Sequence, residues 1–202
     1  MRPTFEGERL QLRFPDDTVV EGEVEPGELV ETSFYGRPVT GHLVEGRWNE
    51  ALSALAGKAV RLVRTRREGD GQDRGAVAGA SLVSTGSLDA LRVAMGAPGP
   101  IDGRRFRMTI GVDGLEPHGE DAWIGERLRV GGALVVVREH VGRCAVTTLD
   151  PDRGVRDLDT LSAIAAYRGD VPTREPLPFG VWCEVIEPGP VAVGDPVEVD
   201  ES

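Results

Sequence analysis

Leu128-Arg129-Val130-Gly131-Gly132-Ala133-Leu134-Val135-Val136-Val137 reads as a β-hairpin. Leu128 and Val130 alternate with Arg129 up to a glycine pair, and an apolar run returns from Ala133 to Val137. Adjacent glycines supply the left-handed backbone that a tight turn needs. Similar short strands flank it along the chain. Leu10, Leu12 and Phe14 alternate against Arg9, Gln11 and Arg13, and Val19–Val24, Glu28–Thr32, Val39–Val44 and Ala59–Val63 follow between Asp, Pro and Gly punctuation. Downstream, Phe106, Met108 and Ile110 alternate with Arg105, Arg107 and Thr109, which predicts a strand with one apolar and one polar face. Val181–Ile186 and Val191–Val199 close the chain as strands around Glu187-Pro188-Gly189. Three short helices interrupt the pattern. Asn49 caps Trp48, Leu52 and Leu55 before Gly57, and Ser87 caps Leu88, Leu91 and Met95 before Gly96. Asp157 or Asp159 opens Leu161, Ile164 and Tyr167 before Gly169. The fold class is therefore mainly β with a few short helices, arranged as a barrel or a strongly curved mixed sheet. Residues 66–80 are mostly Gly, Ala, Asp and Arg without periodicity, which predicts a flexible loop or linker and an organisational boundary.

The chain has 202 residues and a formal net charge of -11, with a pI near 4.8. That field opposes nonspecific binding to nucleic acid or anionic membrane. No apolar run approaches the roughly 18 residues that cross a bilayer, and Met1-Arg2-Pro3-Thr4 opens no signal-peptide pattern, so the expected location is cytoplasmic. Cys144 and Cys183 make neither a disulfide framework nor a CxxC zinc pair. His42, His118 and His140 are scattered, and His140 joins Cys144 as a ligand only if both face one cavity.

Gly142-Arg143-Cys144-Ala145-Val146-Thr147-Thr148-Leu149-Asp150-Pro151 places a cysteine beside an arginine. A guanidinium favours the thiolate, the form that attacks electrophiles, carries a persulfide or ligates a soft metal. Adjacent residues of an extended chain point to opposite faces, so Arg143 assists only where the chain bends. On residue type alone Cys144 reads as core filler. Glu120 and Asp121 diverge for the same reason and read as surface or capping groups.

Six ordered motifs carry a resemblance. They are Ser84-Thr85-Gly86-Ser87-Leu88, Arg104-Arg105-Phe106-Arg107, Glu120-Asp121-Ala122-Trp123-Ile124-Gly125, Arg143-Cys144 with Thr147-Thr148-Leu149-Asp150-Pro151, Pro178-Phe179-Gly180, and Val193-Gly194-Asp195-Pro196-Val197. Together they resemble the MOSC domain, the C-terminal domain of molybdenum cofactor sulfurase, over residues 60–199, in the branch of bacterial relatives of the mitochondrial amidoxime-reducing component. The resemblance implies a β-barrel-like MOSC fold and a pterin-bound molybdenum cofactor. It implies Cys144 as the Mo ligand and catalytic residue, with Arg107, Thr109, Ser87 and Arg143 as cofactor-binding positions. Thr109 stands where the reductase members usually have asparagine. Trp123, Phe179-Gly180 and Gly194-Asp195-Pro196 are read as architectural. Residues 1–60 resemble only the last part of the family's β-rich N-terminal domain, from Pro3-Thr4-Phe5-Glu6-Gly7 through Val30–Arg37, without its lysine-serine element. Half of the cofactor clamp is then expected from another chain, or binding is weak.

Two activities follow as expectations. One is a molybdenum-dependent oxidoreductase acting on N-oxygenated or S-oxygenated small molecules, with electrons from separate donor proteins because no flavin or haem fingerprint is present. The other is a sulfur carrier, with a Cys144 persulfide delivered by a partner desulfurase that carries pyridoxal phosphate (PLP). A non-catalytic remnant that serves as an interaction domain is the third alternative. Loops 116–122 and 171–177 are expected to set the small-molecule substrate.

Overall fold

The computed structural model describes residues 1–34, 37–66 and 79–201. The chain divides into two units, Met1–Ala76 and Val77–Ser202. The linker expected at 66–80 falls almost wholly outside the described residues.

The first unit holds two antiparallel three-stranded sheets. β1 (Arg2–Glu6), β2 (Arg9–Arg13) and β3 (Val19–Glu23) form one; β4 (Pro26–Phe34), β5 (Arg37–Val44) and β6 (Leu62–Thr65) form the other. The alternation in β2 buries Leu10 and Leu12, which join Phe14, Val24, Val44 and Trp48 in one core. β1 is exposed throughout, so no apolar alternation announced it. Helix α1 (Arg47–Ala56) begins after Gly46 instead of at Asn49. Gly46 has a φ of 149°, and a Cβ there would lie 2.3 Å from the Trp48 ring, so the glycine makes room for the buried indole. Asn49 has a different task from capping. Its amide donates to Val44 O at 2.8 Å and its carbonyl accepts from Leu62 N at 2.8 Å, tying β5 to β6 through the helix. Ser53 binds both backbone groups of Val60, which docks residues 59–61 on α1 and delays the strand to Leu62. Leu55, expected to face inward, is exposed.

The second unit is a six-stranded sheet curled into a half-barrel. Its elements are β7 (Ala80–Ser84), α2 (Thr85–Met95), β8 (Ile110–Val112), β9 (Arg127–Val130), β10 (Ala133–Gly142), α3 (Thr160–Arg168), β11 (Pro178–Glu187) and β12 (Val197–Val199). The strand order is β12-β9-β10-β11-β7-β8. Among the described residues of this unit only β7 and β8 pair in parallel, with α2 as part of their crossover. The predicted hairpin is present, with Ala133 opposite Val130 and Val135 opposite Leu128. Register shifts between Leu134/Val135, Val137/Glu139 and His140/Gly142 interrupt the β10–β11 ladder, and such irregularities raise local twist and bend a sheet.

The two faces of this sheet bury separate cores. Leu82, Val112, Leu128, Val130, Val135, Val137, Val181 and Cys183 fill one, with Trp123 packed against it. Val83 turns to the other face and meets Leu91, Ile101, Phe106, Ile164 and Phe179 beneath the helices. Asp159 caps α3 through Ser162 N, as expected. Ser84, not Ser87, caps α2: its hydroxyl accepts from Ser87 N at 3.0 Å. The strand expected over Val191–Val199 shrinks to Val197–Val199, because Asp195 folds back to accept from Ala192 N and Gly132 N is bonded to Pro190 O. No helix of the described residues is long and apolar enough to cross a membrane.

Candidate functional site at the Cys144 loop

β10 ends at Gly142, and Cys144 follows in extended backbone at the start of a 3-10 turn, Ala145–Thr148. The Cys144 carbonyl accepts from Thr147 N at 3.2 Å and from Thr147 Oγ1 at 3.1 Å, and Thr147 Oγ1 also meets Thr160 Oγ1 at 2.8 Å. Thr147, Thr148 and Thr160 are buried, whereas Cys144 is exposed. The core-filler alternative therefore describes Cys183, which is fully buried, and not Cys144. Burial pushes the Cys183 thiol up to about 11.

Arg143 does not share that exposure. The residue is half-buried, and its guanidinium turns inward onto protein acceptors. Nη1 donates to Phe106 O at 3.0 Å, Nε donates to Phe179 O at 2.8 Å, and Nη2 lies 2.8 Å from Met108 Sδ. Nη2 also donates to Phe179 O, and the guanidinium carbon stands 5.3 Å from the Phe106 ring centroid. Its backbone N–H reaches Pro176 O and Leu177 O at 3.3 and 3.1 Å.

The strand expected through Phe106 is absent. Gly103–Phe106 forms a 3-10 turn capped by Asp102, and Arg107 closes it in the left-handed region at φ 53°. The apolar alternation arises instead from burial of Phe106 against Phe179, ring centroids 4.6 Å apart, on a turn and not on a pleat. Two arginines of this turn are engaged. Arg104 pairs with Asp102 and Asp152, and the buried Arg105 makes a two-point pair with Asp157 at 2.7 Å. Arg107 is exposed, and among the described residues its side chain has no hydrogen-bond or ion-pair partner. Thr109 is exposed too and is knitted to Ser81: Thr109 N donates to Ser81 Oγ at 3.1 Å, and Ser81 N donates to Thr109 Oγ1 at 3.2 Å.

Ser87 lies elsewhere. It is fully buried, donating to Glu120 Oε1 at 2.6 Å and accepting from His118 N at 2.9 Å, with Ser84 Oγ at 2.7 Å. Its hydroxyl has no exposed surface and is spent on these protein partners. Glu120 and Asp121 are likewise not surface groups. Glu120 is fully buried and also accepts from Ser84 N at 3.3 Å. Asp121 accepts from Arg168, itself buried, at 2.6 Å and stands 3.3 Å from His140 Nε2. The 3-10 turn at Gly119–Trp123 points successive side chains in directions that an extended chain would not. His118 begins this turn, and its ring packs against Phe179 and Tyr167 with centroids 5.7 and 5.6 Å away. Desolvation lowers the His118 pKa. Sequence reasoning missed this cluster because Glu120 and Asp121 carry no periodic signal. The one hint was that both stand in a motif with Trp123. His140 thus meets Asp121, and among the described residues no group of three or more His, Cys, Asp or Glu is placed to hold a metal ion.

Among the described residues, cavities of about 680 and 410 Å³ open on the sheet. Thr109, Ile110, Val130 and Val191 line both, but Cys144 and Arg107 line neither. Residues 71–198 match the model of the MOSC domain. The chain belongs to the MOSC domain family. Human mitochondrial amidoxime-reducing component 1 is 33% identical over 99 residues, covering 46% of this chain and 28% of that protein. Human mitochondrial amidoxime reducing component 2 is 38% identical over 101 residues, covering 46% and 29%. Rice molybdenum cofactor sulfurase is 32% identical over 71 residues, covering 34% and 8%. The chain thus spans less than a third of the length of these relatives. Among solved structures, YiiM from Geobacillus stearothermophilus aligns with a TM-score of 0.47 at 16% identity, covering 87% of this chain and 73% of that one.

Proposed function

We propose that this MOSC protein binds a pterin-bound molybdenum cofactor at the Cys144 loop and reduces N-oxygenated or S-oxygenated small molecules. The observation that carries this reading is the exposed Cys144 on a backbone held by Thr147, within a domain whose relatives are named for amidoxime reduction and for molybdenum cofactor sulfurase. The donor set fits such a group. Thiolate sulfur is a soft, polarizable ligand suited to this metal. The exposed Arg107 offers a fork of donors for an anionic phosphate. Thr109 adds a hydroxyl at the rim of two cavities, already shared with Ser81. Ser87 acts from beneath, by fixing Glu120 and the start of α2.

When bound, the molybdenum centre supplies two-electron redox chemistry. This chain holds the metal through Cys144, orients the pterin through Arg107, and leaves the 171–177 loop, whose Pro176 and Leu177 carbonyls bond Arg143, to shape substrate access. Separate proteins deliver the electrons. Protein purified from a cofactor-competent host tests the reading by molybdenum and pterin analysis and by reduction of an aryl amidoxime with reduced viologen as electron donor. About one molybdenum per chain and turnover are expected; metal-free, pterin-free protein refutes the reading.

Exposure of Cys144 also suits a sulfur-carrier role, since a PLP-dependent desulfurase can reach an exposed thiol. Intact-mass measurement after incubation with such a desulfurase and cysteine would show one added sulfur on Cys144, and an unchanged mass rejects that role.

A further inference from the structure

His118 occupies a seat that packing alone does not explain. Its backbone is left-handed at φ 59°, a conformation that costs a non-glycine residue energy. Both ring nitrogens are buried, and among the described residues neither has a hydrogen-bond partner. The ring is held instead by the Tyr167 and Phe179 rings. A phenylalanine would make those contacts without leaving two polar atoms unpaired, so the histidine gives up stability that an apolar ring would keep. What it adds is a proton-binding group. Titratable or charged neighbours face it from three elements: Glu120 and Asp121 on its own turn, Tyr167 and Arg168 on α3, and His140 on β10. α2 and β11 present the uncharged Ser87 and Phe179. Glu120 Oε1 is engaged by Ser87 and Asp121 Oδ2 by Arg168, and neither carboxylate accepts from the His118 ring. Desolvation first, then the Arg168 charge, outweigh the attraction of the two carboxylates, and the ring is held neutral below its ordinary titration range.

The same residue fastens a cavity wall. Its N–H donates to Ser87 Oγ at 2.9 Å, and a Cβ on Gly86 would lie 2.4 Å from Leu115 O, so the 115–118 backbone rests directly on the first turn of α2. Leu115 at one end of the segment and Trp123 at the other both line the larger cavity. We propose that His118 is an acid-sensitive latch: the neutral ring seats the 115–123 segment on α2, and protonation of the ring unseats it, so that acid loosens the Leu115 and Trp123 wall of the cavity. Released to solvent, the imidazole titrates near pH 6.5; seated, it binds a proton less readily. The seated form is therefore at full strength above pH 6.5 and weakens as pH falls below that value. The latch requires neither Cys144 nor a bound cofactor, and it stands whether or not the protein is a reductase.

Hydrogen exchange of the full chain, read by peptide mass over residues 115–124 at about pH 7.5 and about pH 5.5 and corrected for the intrinsic exchange rate, tests the latch. The reporters are the amides of His118, Gly119, Asp121 and Ile124, bonded to Ser87 Oγ, Glu116 O, His118 O and Asp121 O. Wild type is expected to lose about three- to tenfold in protection at the lower pH, the ceiling being set by the one-unit distance below the free imidazole value. Peptides from the β9–β10 hairpin are expected to stay unchanged, which separates local release from acid unfolding. His118→Phe keeps a ring between Tyr167 and Phe179 and is expected to show the same protection at both pH values. If that variant does not fold, His118→Gln, which cannot titrate, takes its place with the same expectation. Wild-type protection that is equal at the two pH values overturns the latch. So does an undiminished acid loss in the folded variant, which moves the titration to Glu120, Asp121 or His140, and so does a parallel loss in the hairpin, which makes the event global.

Discussion

Replacing Glu120 by alanine should destabilise the second unit more than any surface carboxylate would. Its Oε1 receives the Ser87 hydroxyl at 2.6 Å and the Ser84 N–H at 3.3 Å, all three residues being fully buried. Truncation removes both bonds. The Ser87 hydroxyl has an alternative acceptor in Ser84 Oγ, 2.7 Å away, so one donor is rescued. The Ser84 N–H has no such substitute within this cluster, and an orphaned buried donor costs about 1–3 kcal/mol. Lost packing of a fully buried side chain adds about 1 kcal/mol. The sum is roughly 2–4 kcal/mol, or about 30-fold to 1000-fold in the folding equilibrium. Glutamine keeps an accepting oxygen for both donors, so Glu120→Gln should cost less than about half as much. Urea denaturation followed by tryptophan fluorescence measures both variants. Alanine within about 0.5 kcal/mol of wild type, or glutamine as costly as alanine, would refute the reasoning.

Three other perturbations follow from the same contacts. Gly142→Ala puts a Cβ 2.6 Å from Glu175 Cβ and 2.8 Å from Pro176 O, so the 175–177 segment must move; thermal unfolding should show a loss of about 1–3 kcal/mol, and a neutral effect would contradict that packing. Arg168→Met strips Asp121 of its 2.6 Å partner and Pro178 O of a 2.9 Å donor, and should cost about 2–4 kcal/mol in urea, whereas wild-type stability would show the pair to be dispensable. Burial raises the Cys183 pKa from 9.0 to about 11, so the unfolded chain ionises first as pH rises. Its stabilising contribution is thus complete below pH 9 and is lost by about pH 11, with an upper bound of roughly 2.7 kcal/mol. Cys183→Val should flatten that alkaline decline; an identical slope in the variant would exclude the thiol as its source.

Sequence pattern exposed the architecture wherever side-chain periodicity tracked burial. Leu10 and Leu12, the hairpin at Gly131-Gly132, and Gly57 and Gly96 in left-handed positions all lie where alternation and turn chemistry put them. Alternation failed at Phe106–Ile110, since a short turn that buries Phe106 produces the same apolar spacing as a strand. Capping residues were misplaced where neighbouring polar groups compete: Ser84 and Ser87 both bear hydroxyls, and Asn49 serves two strands across a helix. At the site, adjacency of Arg143 and Cys144 was visible, but their opposite fates, one turned inward and one exposed, depend on carbonyls 36 and 37 residues away. Such long-range acceptors leave no mark in local sequence. The Glu120 cluster was hidden for the same reason.

X-ray absorption at the molybdenum K-edge, on wild type and Cys144→Ser purified from a cofactor-competent host, tests the central claim most directly. Wild type is expected to show one more Mo–S interaction than the serine variant, or the variant to contain no metal at all. Equal metal content with an unchanged Mo–S shell in the two proteins would contradict the assignment of Cys144 as the ligand.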